Sequence, residues 1–217
     1  MEGISASASR DGQSALTLRR ATLTEVAARA SAHLERAGIP VAVVGGSAVT
    51  IHAPEVYASN DIDFAAIRGT TRRDFAAAVA PLGFGASGRD FVHPESRFTL
   101  DLVADTPFID QRPITRFAKV STRFGQVRVY RFEDAIADRV AAFLHWGDSQ
   151  SLDVAESAVR ARAGEIAWQP IESALKRLDA TGPAGVERLS LATTRLRSAY
   201  TAPMPRRRSA VNKSRRR

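Results

Sequence analysis

The stretch Val41–Ile67, VAVVGGSAVTIHAPEVYASNDIDFAAI, constrains the fold more than any other part of the chain. It opens with a short apolar run, Val41 to Val44, of the kind a buried strand needs. The run stops at Gly45-Gly46, where no Cβ obstructs a closely approaching group and a positive φ is cheap. Ser47 follows as an expected N-cap for a short helix through Ala48, Val49 and Ile51. A turn-rich link, Pro54 to Asn60, leads into Asp61-Ile62-Asp63-Phe64. On a strand, that alternation puts Asp61 and Asp63 on one face and Ile62 and Phe64 on the other. Neighbouring carboxylates repel, and a divalent cation is the usual compensation.

A third acid extends the pattern. In RFTLDLVA, Arg97 to Ala104, the residues Phe98, Leu100 and Leu102 share one face and Thr99, Asp101 and Val103 the other. Beside the Asp61–Asp63 strand, Asp101 comes within cross-strand reach of either acid. Asp105 and Asp110 are rival third ligands, but Asp101 alone sits in the period-2 pattern, between Leu100 and Leu102. Three such carboxylates near a glycine turn suit two Mg²⁺ ions that hold a triphosphate and clamp an in-line phosphoryl displacement.

A Gly-Gly-Ser turn, then Asp-hydrophobe-Asp and a later single strand Asp, resembles the nucleotidyltransferase superfamily with the DNA-polymerase-β-like fold. The fuller stretch GGSAV…YASNDIDF is similar to the nucleotidyltransferase toxins of abortive-infection (type IV toxin–antitoxin) systems and their bacterial relatives. The block EDAIADRVAAFLHWGDSQSLDVAE, Glu133 to Glu156, resembles the helical segment that follows the sheet there. The resemblance covers about residues 22–165. It implies that Gly45, Gly46 and Ser47 hold nucleotide phosphates and that Asp61, Asp63 and Asp101 are the catalytic metal ligands. Those toxins carry a Lys-Asp pair where this chain has Gly147-Asp148, so a lysine role there is not expected.

Around this core the residues leave several readings open. Ser59 can support a phosphate or the turn itself. Arg139 can face the triphosphate as a nucleotide-binding residue, or pair with Asp134 or Asp138. Trp146 is expected in the core, with base stacking as the other reading, and Lys119 is the nearest lysine for a phosphate contact. Arg72 and Arg73 stand in a first helical turn, against the dipole preference, either solvated or facing a negative partner.

Other chemistries lack support. There are 0 cysteines, which removes disulfides and thiolate metal sites and makes a cytoplasmic home the expected one. His33, His52, His93 and His145 are scattered without the spacing of a zinc site. Neither GxxxxGK[ST] nor GxGxxG occurs. The N-terminus lacks the apolar stretch of a secretory signal, and no apolar run approaches membrane-spanning length. The net charge of +8 is uneven: seven basic residues lie in the tail from Arg206 onward, leaving about +1 for the rest.

The expected organisation is a flexible leader over 1–20, a nucleotidyltransferase core over 21–131, a helical segment over 132–199 and a disordered basic tail over 200–217. In the core, a helix capped at Thr22 or Thr24 precedes the central strand. A helix capped at Thr70 or Thr71, a short strand over Arg89–His93 and a hairpin of Phe117–Ser121 with Gln126–Tyr130 follow. The fold class is α/β in the α+β sense: a small mixed sheet with helices on one face, then helices. The implied activity is Mg²⁺-dependent transfer of a nucleoside monophosphate from an NTP to an acceptor hydroxyl on RNA, tRNA or protein. The resemblance also implies a toxin with a cognate antitoxin, and the basic tail an RNA contact. A small-molecule acceptor, as in antibiotic-modifying relatives, stands beside these. The alternative is a catalytically silent nucleotide- or RNA-binding module of the same fold.

Overall fold

A computed structural model describes residues 18–202. Nearly all of the expected leader and tail therefore lies outside the described residues, but its inner edge does not. Leu18 and Ala21 are buried in the hydrophobic core, so the core begins earlier than residue 21.

Helix α1, Leu23–Arg36, is fixed at its start by a capping box between Thr22 and Glu25. Strand β1, Val41–Val43, is buried throughout. Helix α2, Gly45–His52, follows at once, and strand β2 covers Asp61–Ala66. Helix α3, Arg72–Val79, is capped by the Thr71 side chain and runs into a 3₁₀ turn at Ala80–Leu82. Strands β3 (Gly85–Ser87), β4 (Asp90–Val92) and β5 (Thr99–Ala104) come next. Two-residue strands β6 (Phe108–Ile109) and β7 (Arg112–Pro113) form a separate small hairpin, and β8 (Phe117–Thr122) and β9 (Gly125–Tyr130) the expected one. The C-terminal part is helical: α4 (Phe132–Trp146), α5 (Ser149–Arg162), α6 (Trp168–Leu175) and α7 (Gly182–Thr201).

The main sheet has seven strands in the order β3-β4-β5-β2-β1-β9-β8. It is mixed: β2 runs parallel to β5 and β1 to β9, while the remaining neighbours are antiparallel. Helices α1 and α3 pack together over one face of it. There Ile62, Phe64, Leu100 and Phe91 are fully or almost fully buried, and Phe75 of α3 sits between Phe64 and Phe91 at 6.1 and 5.2 Å. The alternation expected of DIDF and TLDL is thus observed: hydrophobes face those helices, and Asp61, Asp63 and Asp101 point the other way. Helix α2 carries the sheet into the helical layer by packing on α4 and α5.

The junction of β1, α2 and β2 departs from expectation at Ser47. The helix starts three residues earlier, at Gly45 rather than Ala48, with Val44 in the cap position. Ser47 lies inside the first turn and is fully buried. Its hydroxyl donates to the Val44 carbonyl (2.8 Å) and accepts the Asp63 amide (3.1 Å), bridging helix to strand. Ser47→Ala leaves that amide without a partner in a buried setting. The expected loss is about 1–3 kcal/mol of unfolding free energy in urea titration; an unchanged midpoint would show that the bridge carries no stability.

Candidate active site

Strand pairing places the acids. In the parallel ladder of β2 and β5, Asp63 stands opposite Asp101 and Asp61 opposite Thr99. Asp101 is thereby the acid that strand pairing sets beside Asp63. Of its rivals, Asp105 lies past the end of β5. Asp110 is engaged elsewhere, with His145 Nε2 (2.7 Å) and the Asp179 amide (2.9 Å).

The glycine turn closes on Asp63. Gly45 has φ +63°, a left-handed conformation that side chains resist, and a Cβ there would collide with the Asp63 carboxylate. The β1 end is tied to the same residue, with the Val44 amide donating to the Asp63 carbonyl (2.9 Å). The first amide of α2 with an acceptor inside the helix is Ala48, which donates to Val44. The amides of Gly45, Gly46 and Ser47 belong to the first turn and have no in-helix acceptor. Gly46 also borders Tyr57, whose ring would crowd a Cβ at 3.1 Å.

Each acid has a different environment. Asp61 is exposed and accepts the Thr99 hydroxyl (2.8 Å). Asp63 is half-buried, and desolvation pushes its carboxyl up to about 6 against the opposing charge of Arg139, with the Asp61, Asp101 and Asp138 charges adding to the rise. Asp101 is buried and meets two guanidiniums, Arg89 Nη2 at 3.2 Å and Arg72 Nη1 at 3.9 Å.

Arg139 comes from α4 and lines a pocket of about 80 Å³ together with Gly46, Tyr57, Asp148 and Ser151. It pairs with Asp138 (2.7 Å) and donates to Ser151 Oγ (3.3 Å). Of its two expected carboxylate partners it takes Asp138, because Arg131 holds Asp134. It therefore both makes the ion pair and borders the glycine turn. Asp148 caps α5 by accepting the Ser151 amide and hydroxyl.

Three expectations are corrected in position. The Ser47 hydroxyl is spent inside the scaffold, so only its backbone amide is left for a phosphate. Trp146 is not core: it is 80% exposed at the end of α4. Lys119 lies on β8, the sheet edge three strands away from β2, so it is not brought to the acids. Ser59 resolves toward the turn, its amide bonded to Thr50 Oγ1 and its hydroxyl accepting the Asp61 amide.

Arg89 escaped sequence reasoning, because an arginine in a short turn carries no local signal. Arg72 did leave one. A cation in the first turn of a helix asks for a negative partner, and Asp101 is near it. Arg72 is further held by the Gly88 carbonyl (3.0 Å) and by the Phe91 ring under its guanidinium (4.5 Å).

Three carboxylates with no soft donor form a set suited to hard divalent cations such as Mg²⁺. Among the described residues, however, no group of three or more His, Cys, Asp or Glu side chains is gathered closely enough to hold a metal ion. Arginines engage Asp101, and Thr99 engages Asp61. Among the described residues no helix is long and apolar enough to cross a membrane.

No family model matches the chain, and no curated protein matches it. Two solved structures are similar to it. One is the solution structure of the antibiotic-resistance factor ANT(2'')-Ia, at 18% identity and TM-score 0.39, covering 82% of this chain and 92% of that one. The other is the crystal structure of an antigenic nucleotidyltransferase-like protein from Paracoccidioides brasiliensis, at 13% identity and TM-score 0.48, covering 84% and 93%. Likenesses this slight leave the argument to the residues themselves.

The Asp63 environment has a consequence for stability. The folded carboxyl keeps its proton to about pH 6, whereas the unfolded one releases it near 3.8. Between those values the folded state binds more protons, so stability falls as pH rises and the full penalty stands above about pH 6. Asp63→Asn is therefore expected to stabilise the metal-free protein at pH 8, by about 2–3 kcal/mol at most, and to change little at pH 4. Urea titration at both values reads this directly. Equal stability at pH 8 would mean the carboxylate is not strained.

Proposed function

We propose that this chain is a metal-assisted nucleotidyltransferase with a polymerase-β-like fold. It transfers a nucleoside monophosphate from an NTP to an acceptor hydroxyl and releases pyrophosphate. The observation that carries the proposal is the register of β2 on β5, which sets Asp63 beside Asp101 on the same face as Asp61, directly against the Gly45–Gly46 turn. A chain that needed these acids only for solubility would have no reason to half-bury Asp63 and bury Asp101.

In this reading Asp61, Asp63 and Asp101 would hold two Mg²⁺ ions, which when bound neutralise the triphosphate and stabilise charge on the entering and leaving oxygens. The chain's own groups do the rest. The amides of Gly45, Gly46 and Ser47, at the positive end of α2, bind phosphate oxygens. Arg139, at the wall of the adjoining pocket, adds a fixed positive charge on the same side. The acceptor oxygen forms the new bond to the α-phosphorus while the bond to the pyrophosphate oxygen breaks. The hydroxyl proton leaves toward Asp101 or solvent.

The proposed acceptor is RNA, tRNA among its forms, or a protein side chain, as in a toxin held by a cognate antitoxin. Any RNA contact through the arginine-rich tail lies outside the described residues. The proposed setting is the cytoplasm.

The test is incubation with Mg²⁺ and each α-³²P-labelled NTP, with and without total RNA, beside the double variant Asp61→Ala/Asp63→Ala. Wild-type label transfer to RNA or protein is expected, with a loss of at least about 100-fold in the variant. Nucleotide binding without transfer, for every NTP, would overturn the enzyme reading in favour of a silent binding module.

A further inference from the structure

Arg89 differs from every other group around the three acids. Its side chain is 85% exposed, yet it donates into a carboxylate that is only 7% exposed. The second guanidinium on Asp101, that of Arg72, is built in by the Gly88 carbonyl and the Phe91 ring. Among the described residues Arg89 makes its hydrogen bond and ion pair to Asp101 alone, and an arginine this exposed can swing into solvent without opening a cavity.

From this contrast we propose that Arg89 is a positioning residue that sets cation affinity: its guanidinium is a tethered cation that holds Asp101 in the resting protein and must withdraw before Asp101 can ligate a metal. The inference rests on the metal-assisted reading above. Its physical basis is competition for one carboxylate. A buried Asp101 needs a positive charge beside it, and Arg89 supplies one when no ion does. A divalent ion on the same carboxylate would meet that guanidinium at close range and be repelled by it.

Arg72 cannot play this part. At 3.9 Å from Asp101 and pinned on two sides, it keeps a background positive charge whether or not an ion is present. The buried carboxylate is thus never left without compensation when Arg89 departs. The pair divides the work into a fixed counter-charge and a removable one.

Mn²⁺ binding to the full-length protein, without nucleotide, tests this by electron paramagnetic resonance of the free ion. Arg89→Gln is expected to tighten Mn²⁺ binding about three- to tenfold, whereas Arg89→Lys, which keeps the cation, stays within about twofold of wild type. Adding Asp101→Asn should weaken binding in both backgrounds and erase the difference between them. A thermal melt confirms that each variant is folded. Mn²⁺ binding to Arg89→Gln no tighter than to wild type would overturn the inference while leaving the metal reading intact. So would Arg89→Lys behaving like Arg89→Gln, since the effect would then be one of packing. No Mn²⁺ uptake at millimolar concentration by wild type or Arg89→Gln would remove the metal reading itself.

Discussion

Like-charge crowding on β2 and β5 is the constraint to which the surrounding structure answers. Parallel pairing forces Asp63 and Asp101 into adjacent positions, and the strand period adds Asp61 to the same face. None of these acids can relieve the repulsion by turning inward, because Phe64, Leu100 and Ile62 fill the opposite side completely. Compensation has to come from other elements. Arg72 reaches in from α3, Arg89 from the turn before β4, and Arg139 from α4. The site is assembled from five separate parts of the chain for an electrostatic reason, and the hydrophobic face of the sheet serves mainly to hold the acids where they repel.

The glycine turn answers a steric version of the same constraint. Asp63 needs room beside β1, and only a residue without Cβ at position 45, in a left-handed conformation, leaves it. Ser47 then fixes the spacing by bonding both the Val44 carbonyl and the Asp63 amide. A serine after two glycines reads in sequence as a cap or a phosphate ligand, and here it is neither by its hydroxyl. Its local pattern is that of a cap, but the tertiary approach of β2 captures the hydroxyl, and no single-strand pattern reports that approach.

What could be read in advance follows the range of the physics involved. Alternation in DIDF and TLDL is a local property, so the facing of all three acids was legible, as were the two helix starts, each narrowed to one of two threonines, and the β8–β9 hairpin. The two-residue strands β6 and β7, and β3 with its three exposed residues, carry too little pattern to be seen. Trp146 misled because a large aromatic on a helix normally packs inward. The helix ends there, at Gly147 in a left-handed cap, leaving the ring beyond the core. Arg89 and its carboxylate are 12 residues apart and meet only because β4 pairs back on β5.

Charge balance orders events at the site. Asp61, Asp63, Asp101 and the Asp138 that pairs with Arg139 stand against three guanidiniums, so under the proposed reading a triphosphate would meet no net attraction there. Nor does the rest of the domain provide it, since seven of the net +8 lie from Arg206 onward. Phosphate affinity at the Gly45–Gly46 turn, in the proposed function, would therefore depend on first neutralising the carboxylates. Under that reading, with the acids compensated by something other than arginine, Arg139 would become uncancelled positive charge beside the helix N-terminus and would change from counter-ion to anion ligand. The proximity of Arg139 to Gly46 in one pocket makes it the guanidinium best placed for that change, because the first-turn amides of α2 and the pocket wall are already adjacent.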